Sequence, residues 1–139
     1  KLQLASNVSY QDARDQQKYK NGGKPSATYD NRVPNRPWLF GSAEAYYTFR
    51  NVALPESKLR LGCTYQWIHW YYLLWEAYGA TERIPAQHIC NADITYSWKR
   101  GRYNIALECT NFLDKTAYDN YKLQKPGRAF FAKFRLFIN

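Results

Sequence analysis

Tyr103-Asn-Ile-Ala-Leu-Glu-Cys-Thr110 and Ala129-Phe-Phe-Ala-Lys-Phe-Arg-Leu-Phe-Ile-Asn139 decide the fold. In the first stretch Tyr103, Ile105, Leu107 and Cys109 alternate with Asn104, Ala106, Glu108 and Thr110. Successive side chains of a strand point to opposite sides of the sheet, so a period of two marks a strand with one apolar and one polar face. In the second stretch Phe130, Ala132, Phe134, Leu136 and Ile138 share a face. Lys133 and Arg135 take the other, and Phe131 and Phe137 interrupt the pattern.

The same alternation runs back along the chain. Lys1–Gln11 sets Leu2, Leu4, Val8 and Tyr10 against Gln3, Asn7, Ser9 and Gln11. Trp38–Arg50 sets Ala43, Ala45, Tyr47 and Phe49 against Ser42, Glu44, Tyr46 and Thr48. Lys58–Trp75 opens with Leu59, Leu61, Cys63, Tyr65 and Trp67 opposite Arg60, Gly62, Thr64 and Gln66. Ala86–Trp98 sets Cys90, Ala92, Ile94, Tyr96 and Trp98 opposite Asn91, Asp93, Thr95 and Ser97. The expected fold class is all-β, an antiparallel up-and-down meander of about six amphipathic strands. The connections at 12–37, 51–57, 76–85, 99–102 and 111–126 run long, short, medium, very short, medium. The 12–37 segment, with Gly22-Gly23 and three prolines, reads as a long polar loop, and Arg100-Gly101 as a two-residue hairpin turn. That turn places Asp93 and Glu108 opposite each other on the polar side.

No apolar run reaches the roughly 18 residues of a membrane-spanning helix. A β-barrel needs none, because only alternate residues face lipid. Aromatic residues make up 18% of the chain, with 13 Tyr and 5 Trp. Such side chains, apolar at one end and polar at the other, suit a membrane–water interface. Tyr96, Trp98 and Tyr103 gather at the short-turn end, and Tyr65, Trp67, Trp70, Tyr71, Tyr72 and Trp75 at the other.

The order of motifs at the end of the chain resembles the C-terminus of TonB-dependent outer-membrane receptors. In that family a penultimate strand ends in an Asn-Leu-Phe-Asp-like motif, here Asn111-Phe112-Leu113-Asp114. A Tyr-containing loop follows, here with Tyr118 and Tyr121, and a Pro-Gly-Arg entry, here Pro126-Gly127-Arg128, leads into an aromatic-rich terminal strand. The family usually ends on an aromatic residue, whereas this chain ends Phe137-Ile138-Asn139. The resemblance implies that residues 1–139 form the C-terminal portion of a large transmembrane β-barrel in the outer membrane of a Gram-negative cell, without its plug domain. Lys at position 1 and the absence of Met fit a fragment or processed piece.

The resemblance further implies import of a scarce nutrient: a siderophore, haem, cobalamin, glycan or peptide. Its partners would be outer-membrane lipid and lipopolysaccharide, the rest of its own barrel and plug, TonB, and the outer-membrane assembly machinery. Phe130, Phe134, Leu136 and Ile138 would form the terminal assembly strand. Arg60, Gln66, Asp93, Glu108, Lys133 and Arg135 would face the lumen, and Trp75, Tyr118 and Tyr121 are candidate substrate contacts in the loops. The alternative is a soluble all-β carbohydrate-binding module that uses exposed Trp and Tyr.

Other chemistry is thinly represented. The net charge is +9, but the basic residues are scattered through loops and polar faces rather than gathered in a stripe, so nucleic acid is not expected as a partner. Three cysteines, Cys63, Cys90 and Cys109, cannot all pair within the chain and read as small apolar residues. His69 and His88 flank the 76–85 loop and read as interface residues rather than metal or haem ligands. Asp93 and Glu108 read as wall carboxylates balanced by Lys133 and Arg135. With no nucleophile–base arrangement and no phosphate loop, neither an enzyme nor a cofactor is expected.

Overall fold

The computed structural model of the protein describes residues 1–79 and 82–138. It contains strands β1 (Leu2–Tyr10), β2 (Leu39–Arg50), β3 (Lys58–Ile68), β4 (Tyr71–Tyr72), β5 (Arg83–Ile84), β6 (Gln87–Trp98), β7 (Tyr103–Thr110) and β8 (Ala129–Leu136). Among the described residues there is no α-helix, and one short 3₁₀ turn spans Glu76–Tyr78. Six strands form one sheet in the order β1-β2-β3-β6-β7-β8, each antiparallel to its neighbours. That is the expected meander, with β4 and β5 paired separately as a small hairpin.

The register aligns every apolar set. Leu4 pairs with Ala45, Ala45 with Cys63, Cys63 with Ala92, Ala92 with Cys109 and Cys109 with Phe130. The next row runs Leu2, Tyr47, Leu61, Ile94, Leu107, Ala132. A slip of one residue in any strand would turn its whole apolar set to the other side. All eight charged residues of the six strands (Glu44, Arg50, Lys58, Arg60, Asp93, Glu108, Lys133 and Arg135) therefore lie on one face, and the opposite face carries none.

That uncharged face is uncovered. Leu4 is 70% exposed, Leu107 54% and Phe134 64%, so the side chains that would form a core in a soluble sheet protein are open. The buried apolar residues lie instead at one end, at Tyr71, Ile84, Cys109 and Ala117. The sheet is open: the described residues do not close it into the barrel that the resemblance implies, and β1 and β8 are its two edges.

Strand three is shorter than the alternation predicts. It ends at Ile68 rather than Trp75, because the chain turns at His69-Trp70 into the β4–β5 hairpin. The 76–85 loop is correspondingly not all loop, since it holds the 3₁₀ turn and β5. The 99–102 turn keeps the predicted register, with Asp93 opposite Glu108, although the strand ladder closes at Trp98–Tyr103. Lys99 (φ 49°), Arg100 (φ 56°) and Gly101 (φ 87°) are all left-handed, so residues 99–102 form a four-residue loop rather than the two-residue turn expected at Arg100-Gly101. At 51–57 the buried Ser57 hydroxyl donates to the carbonyls of Val52 (2.7 Å) and Leu54 (2.6 Å), and the Tyr96 hydroxyl also reaches Val52 O (2.8 Å). The terminal strand ends at Leu136. Phe137 continues only through a bond from its N–H to Arg102 O (2.9 Å), and Asn139 lies outside the described residues.

Candidate functional site

The three long connections, 12–37, 69–86 and 111–128, leave the same end of the sheet and fold onto one another. Tyr71 donates its hydroxyl to Asn120 Oδ1 (3.1 Å), the Tyr118 N–H donates to Gln87 Oε1 (2.8 Å), and Asn35 N–H donates to Tyr72 O (2.8 Å). Lys122 pairs with Glu82 across the same contact. Burial, and secondarily the Asp119 carboxylate, pushes the Tyr71 hydroxyl above its usual pKa. Beside this core Trp38 packs edge-on against His69 (centroids 4.6 Å) and Trp70 (6.4 Å). Arg32 stacks over Trp38 (4.6 Å) and Arg83 over Trp70 (4.1 Å). Sequence reasoning placed Trp70 at this end but missed Trp38, Arg32 and Arg83, which only the fold brings together.

Asn111-Phe112-Leu113-Asp114 and Pro126-Gly127-Arg128 form one joint. Asn111 (φ 49°) and Asp114 (φ 51°) are left-handed, a conformation that Asn and Asp tolerate better than most residues. The buried Asn111 side chain donates to Lys115 O (2.7 Å) and accepts from Lys115 N–H (3.0 Å), closing the turn with one amide. Its own N–H is held by Asn91 Oδ1 (2.9 Å) on β6. Asp114 Oδ1 accepts the Arg128 N–H (2.9 Å), and the Arg128 guanidinium lies 3.8 Å from Oδ2. A Cβ at Gly127 would lie 2.8 Å from Asp114 Oδ1, so glycine allows the close approach. The joint thus sets the entry to β8.

The polar face carries all six candidate lumen residues. Glu108 takes the Lys133 ammonium with both oxygens (2.7 and 2.6 Å). Asp93 stands opposite Glu108 and over Gly62, where a Cβ would overlap its Oδ1 and lie 2.7 Å from Tyr46 Cε1. Arg60 stacks on Tyr46 at 3.8 Å from the ring centroid. Gln66 lies exposed between Ser42 and Ile89. Arg135, opposite Asn104, forms no ion pair among the described residues.

Trp75, Tyr118 and Tyr121 differ in exposure. Trp75 is half-buried ahead of the 3₁₀ turn, Tyr118 is half-buried beside Gln87, and Tyr121 is 77% exposed. His88 Nδ1 lies 2.6 Å from the Tyr65 hydroxyl, and His69 packs between Trp38, Trp67 and Trp70, so the two histidines have separate partners. Among the described residues no group of three His, Cys, Asp or Glu is arranged to hold a metal ion.

These features define an all-β chain built on one open, amphipathic sheet with structured loops at one end. No family model, no curated protein and no solved structure matches it.

Proposed function

We propose that this chain is a stretch of membrane-barrel wall, the C-terminal part of a TonB-dependent outer-membrane transporter that imports a scarce nutrient. The observation that carries the barrel reading is the charge segregation: six paired strands present one continuous face without a single Asp, Glu, Lys or Arg, and that face is exposed. In lipid such a face is solvated, whereas in water it is a large apolar patch. The aromatic residues support the same reading. Tyr96, Trp98 and Tyr103 stack at the short-turn end, the rows Leu61–Ile94–Leu107 and Cys63–Ala92–Cys109 between them are aliphatic or small, and Tyr65 and Trp67 with His88 lie towards the long loops. Membrane barrels grade their walls in this way. The open edges of β1 and β8 would pair with the remaining strands of the wall, since unpaired backbone groups are costly in lipid.

The transporter reading adds the Asn111–Asp114 and Pro126–Arg128 resemblance, whose residues form one structural joint. The long-loop end, with its basic and aromatic surface, would then receive substrate.

Fractionation of cells that make the protein tests the barrel. It should sediment with outer membrane and require detergent for extraction, and uptake of its nutrient should stop when TonB is removed. Recovery as a detergent-free soluble monomer would favour the carbohydrate-binding module instead.

A further inference from the structure

The distribution of charge along the strand axis is lopsided. The three long connections hold eleven cations against seven acids, and the six strands away from the short turns hold three of each. The short-turn end, far smaller, holds Lys1, Arg50, Lys58, Lys99, Arg100 and Arg102 against Glu56 alone. Glu56 is already taken by Arg100 (2.9 Å). Among the described residues, Lys99 and Arg102 have no carboxylate partner, and both side chains are exposed.

Lys99 and Arg102 are not placed at random in this cationic end. Lys99 Nζ lies 5.3 Å and Arg102 Cζ 5.9 Å from the centroid of Tyr103. Tyr103 stacks on Trp98 (centroids 5.2 Å, planes 13° apart), which stacks on Tyr96 (5.6 Å, 24°). All three rings belong to the uncharged face and mark its lower rim. An aromatic rim with unpaired cations just beyond it matches the chemistry of an anionic headgroup: the rings sit at the glycerol level and the cations reach the phosphate.

We propose that the Trp98–Tyr103 rim, with Lys99 and Arg102, is a binding site for anionic glycerophospholipid on the leaflet bordered by the short turns. The proposal rests on the barrel reading and adds a lipid preference to it. A phosphate diester would sit between Lys99 and Arg102, with its acyl chains lying along Tyr96, Ile105 and Phe134. Electrostatic attraction selects the anionic lipid, because a zwitterionic headgroup brings its own cation to the same place.

The test uses the intact protein in phosphatidylcholine bilayers doped with brominated phosphatidylglycerol or brominated phosphatidylcholine, which quench nearby Trp fluorescence. The Trp98 share of the signal is obtained by difference from Trp98→Phe. Brominated phosphatidylglycerol should quench that share several-fold more effectively at equal mole fraction. Lys99→Asn and Arg102→Gln should each lower the preference, by about fivefold per cation, while quenching by brominated phosphatidylcholine persists. Added salt should weaken the preference and added inorganic phosphate should not abolish it beyond that effect. Equal quenching by the two lipids, an unchanged preference in the variants, or specific displacement by free phosphate would overturn the site and leave the barrel reading standing. Quenching by neither lipid would overturn the barrel reading as well.

Discussion

Single side chains at the β7–β8 joint make separable predictions. Asp114 uses one oxygen to hold the Arg128 N–H and a left-handed backbone to end its turn. Asn retains both properties and Ala neither. Asp114→Asn should therefore be nearly neutral, and Asp114→Ala should cost about 1–2 kcal/mol, read as a shift in the unfolding midpoint of the purified protein. Equal effects from the two substitutions would remove the joint from the account of β8. On the polar face, Gly62 is required by its neighbours, not by its φ. A methyl at Gly62 meets Asp93 and Tyr46, both side chains of adjacent strands. Gly62→Ala should destabilise by about 1–3 kcal/mol, and the loss should shrink when Asp93→Ala is combined with it. A purely additive double mutant would show that Asp93 is not the obstacle.

At the scale of elements, the 12–37 connection is more than a polar loop. It folds back on itself through bonds from Asp15 N–H to Asn31 O (3.0 Å), Val33 N–H to Ala13 O (2.8 Å) and Ser26 N–H to Lys18 O (2.8 Å). Arg32 beside Asp12, with Arg14 next to it, holds the Asp12 carboxyl below its ordinary value, and the Thr28 hydroxyl with the Gln17 N–H does the same for Asp15. A depressed carboxyl pKa supplies order that is complete above the unfolded value and is lost as pH falls through the folded one. Hydrogen-exchange protection at the Asp15 and Val33 amides, corrected for intrinsic rates, should hold at neutral pH and fall only once the pH drops below the ordinary carboxylate range. Protection that does not change as the pH falls would remove the Asp12 ion pairs and the Asp15 hydrogen bonds as the clasp. This loop also marks where the sequence stops being legible. The strands could be read because alternation is a local property with a large energetic consequence: a one-residue slip exposes charge on the uncharged face. Strand three ends at Ile68, yet the sequence reads as strand to Trp75 because Trp67-Ile68-His69-Trp70-Tyr71-Tyr72 contains no Gly, Pro, Asn or Asp to punctuate it. The joint at Asn111 was recognisable as a motif, but its closure by Lys115 and Asp114 was not, nor was the meeting of Trp38 with Arg32. Those contacts lie within single connections, four residues apart at Asn111–Lys115, fourteen at Asp114–Arg128 and six at Arg32–Trp38, and strand alternation says nothing about how a connection folds on itself.

For the whole molecule, the two faces of one strand should answer the same substitution in opposite ways. Leu107 lies on the uncharged face between Ile94 and Ala132, whereas the adjacent Ala106 faces the polar side opposite Lys133. Leu107→Glu should cost roughly 2 kcal/mol in lipid and reduce the assembled protein in the membrane fraction, while Ala106→Glu should be tolerated. The reverse ranking would exchange lumen and lipid. Orientation is the remaining degree of freedom. Long connections share one end of the sheet and the 51–57 and 99–102 turns share the other, together with Leu2 and Leu136 at the outer ends of β1 and β8. Membrane barrels keep short turns on the periplasmic side and long loops outside, so Lys24 and Lys125 should face the exterior and Leu54 the periplasm. With Cys63, Cys90 and Cys109 replaced by Ala, single Lys24→Cys, Lys125→Cys and Leu54→Cys variants would be treated on intact cells with a membrane-impermeant thiol reagent. All three positions are exposed, so accessibility of the side chain itself does not bias the result. The first two should label on whole cells, and Leu54→Cys only after the outer membrane is opened. Labelling of Leu54→Cys alone would invert the sheet, move the Trp98–Tyr103 rim to the outer leaflet, and remove the Trp38–Trp70 cluster from any part in receiving substrate.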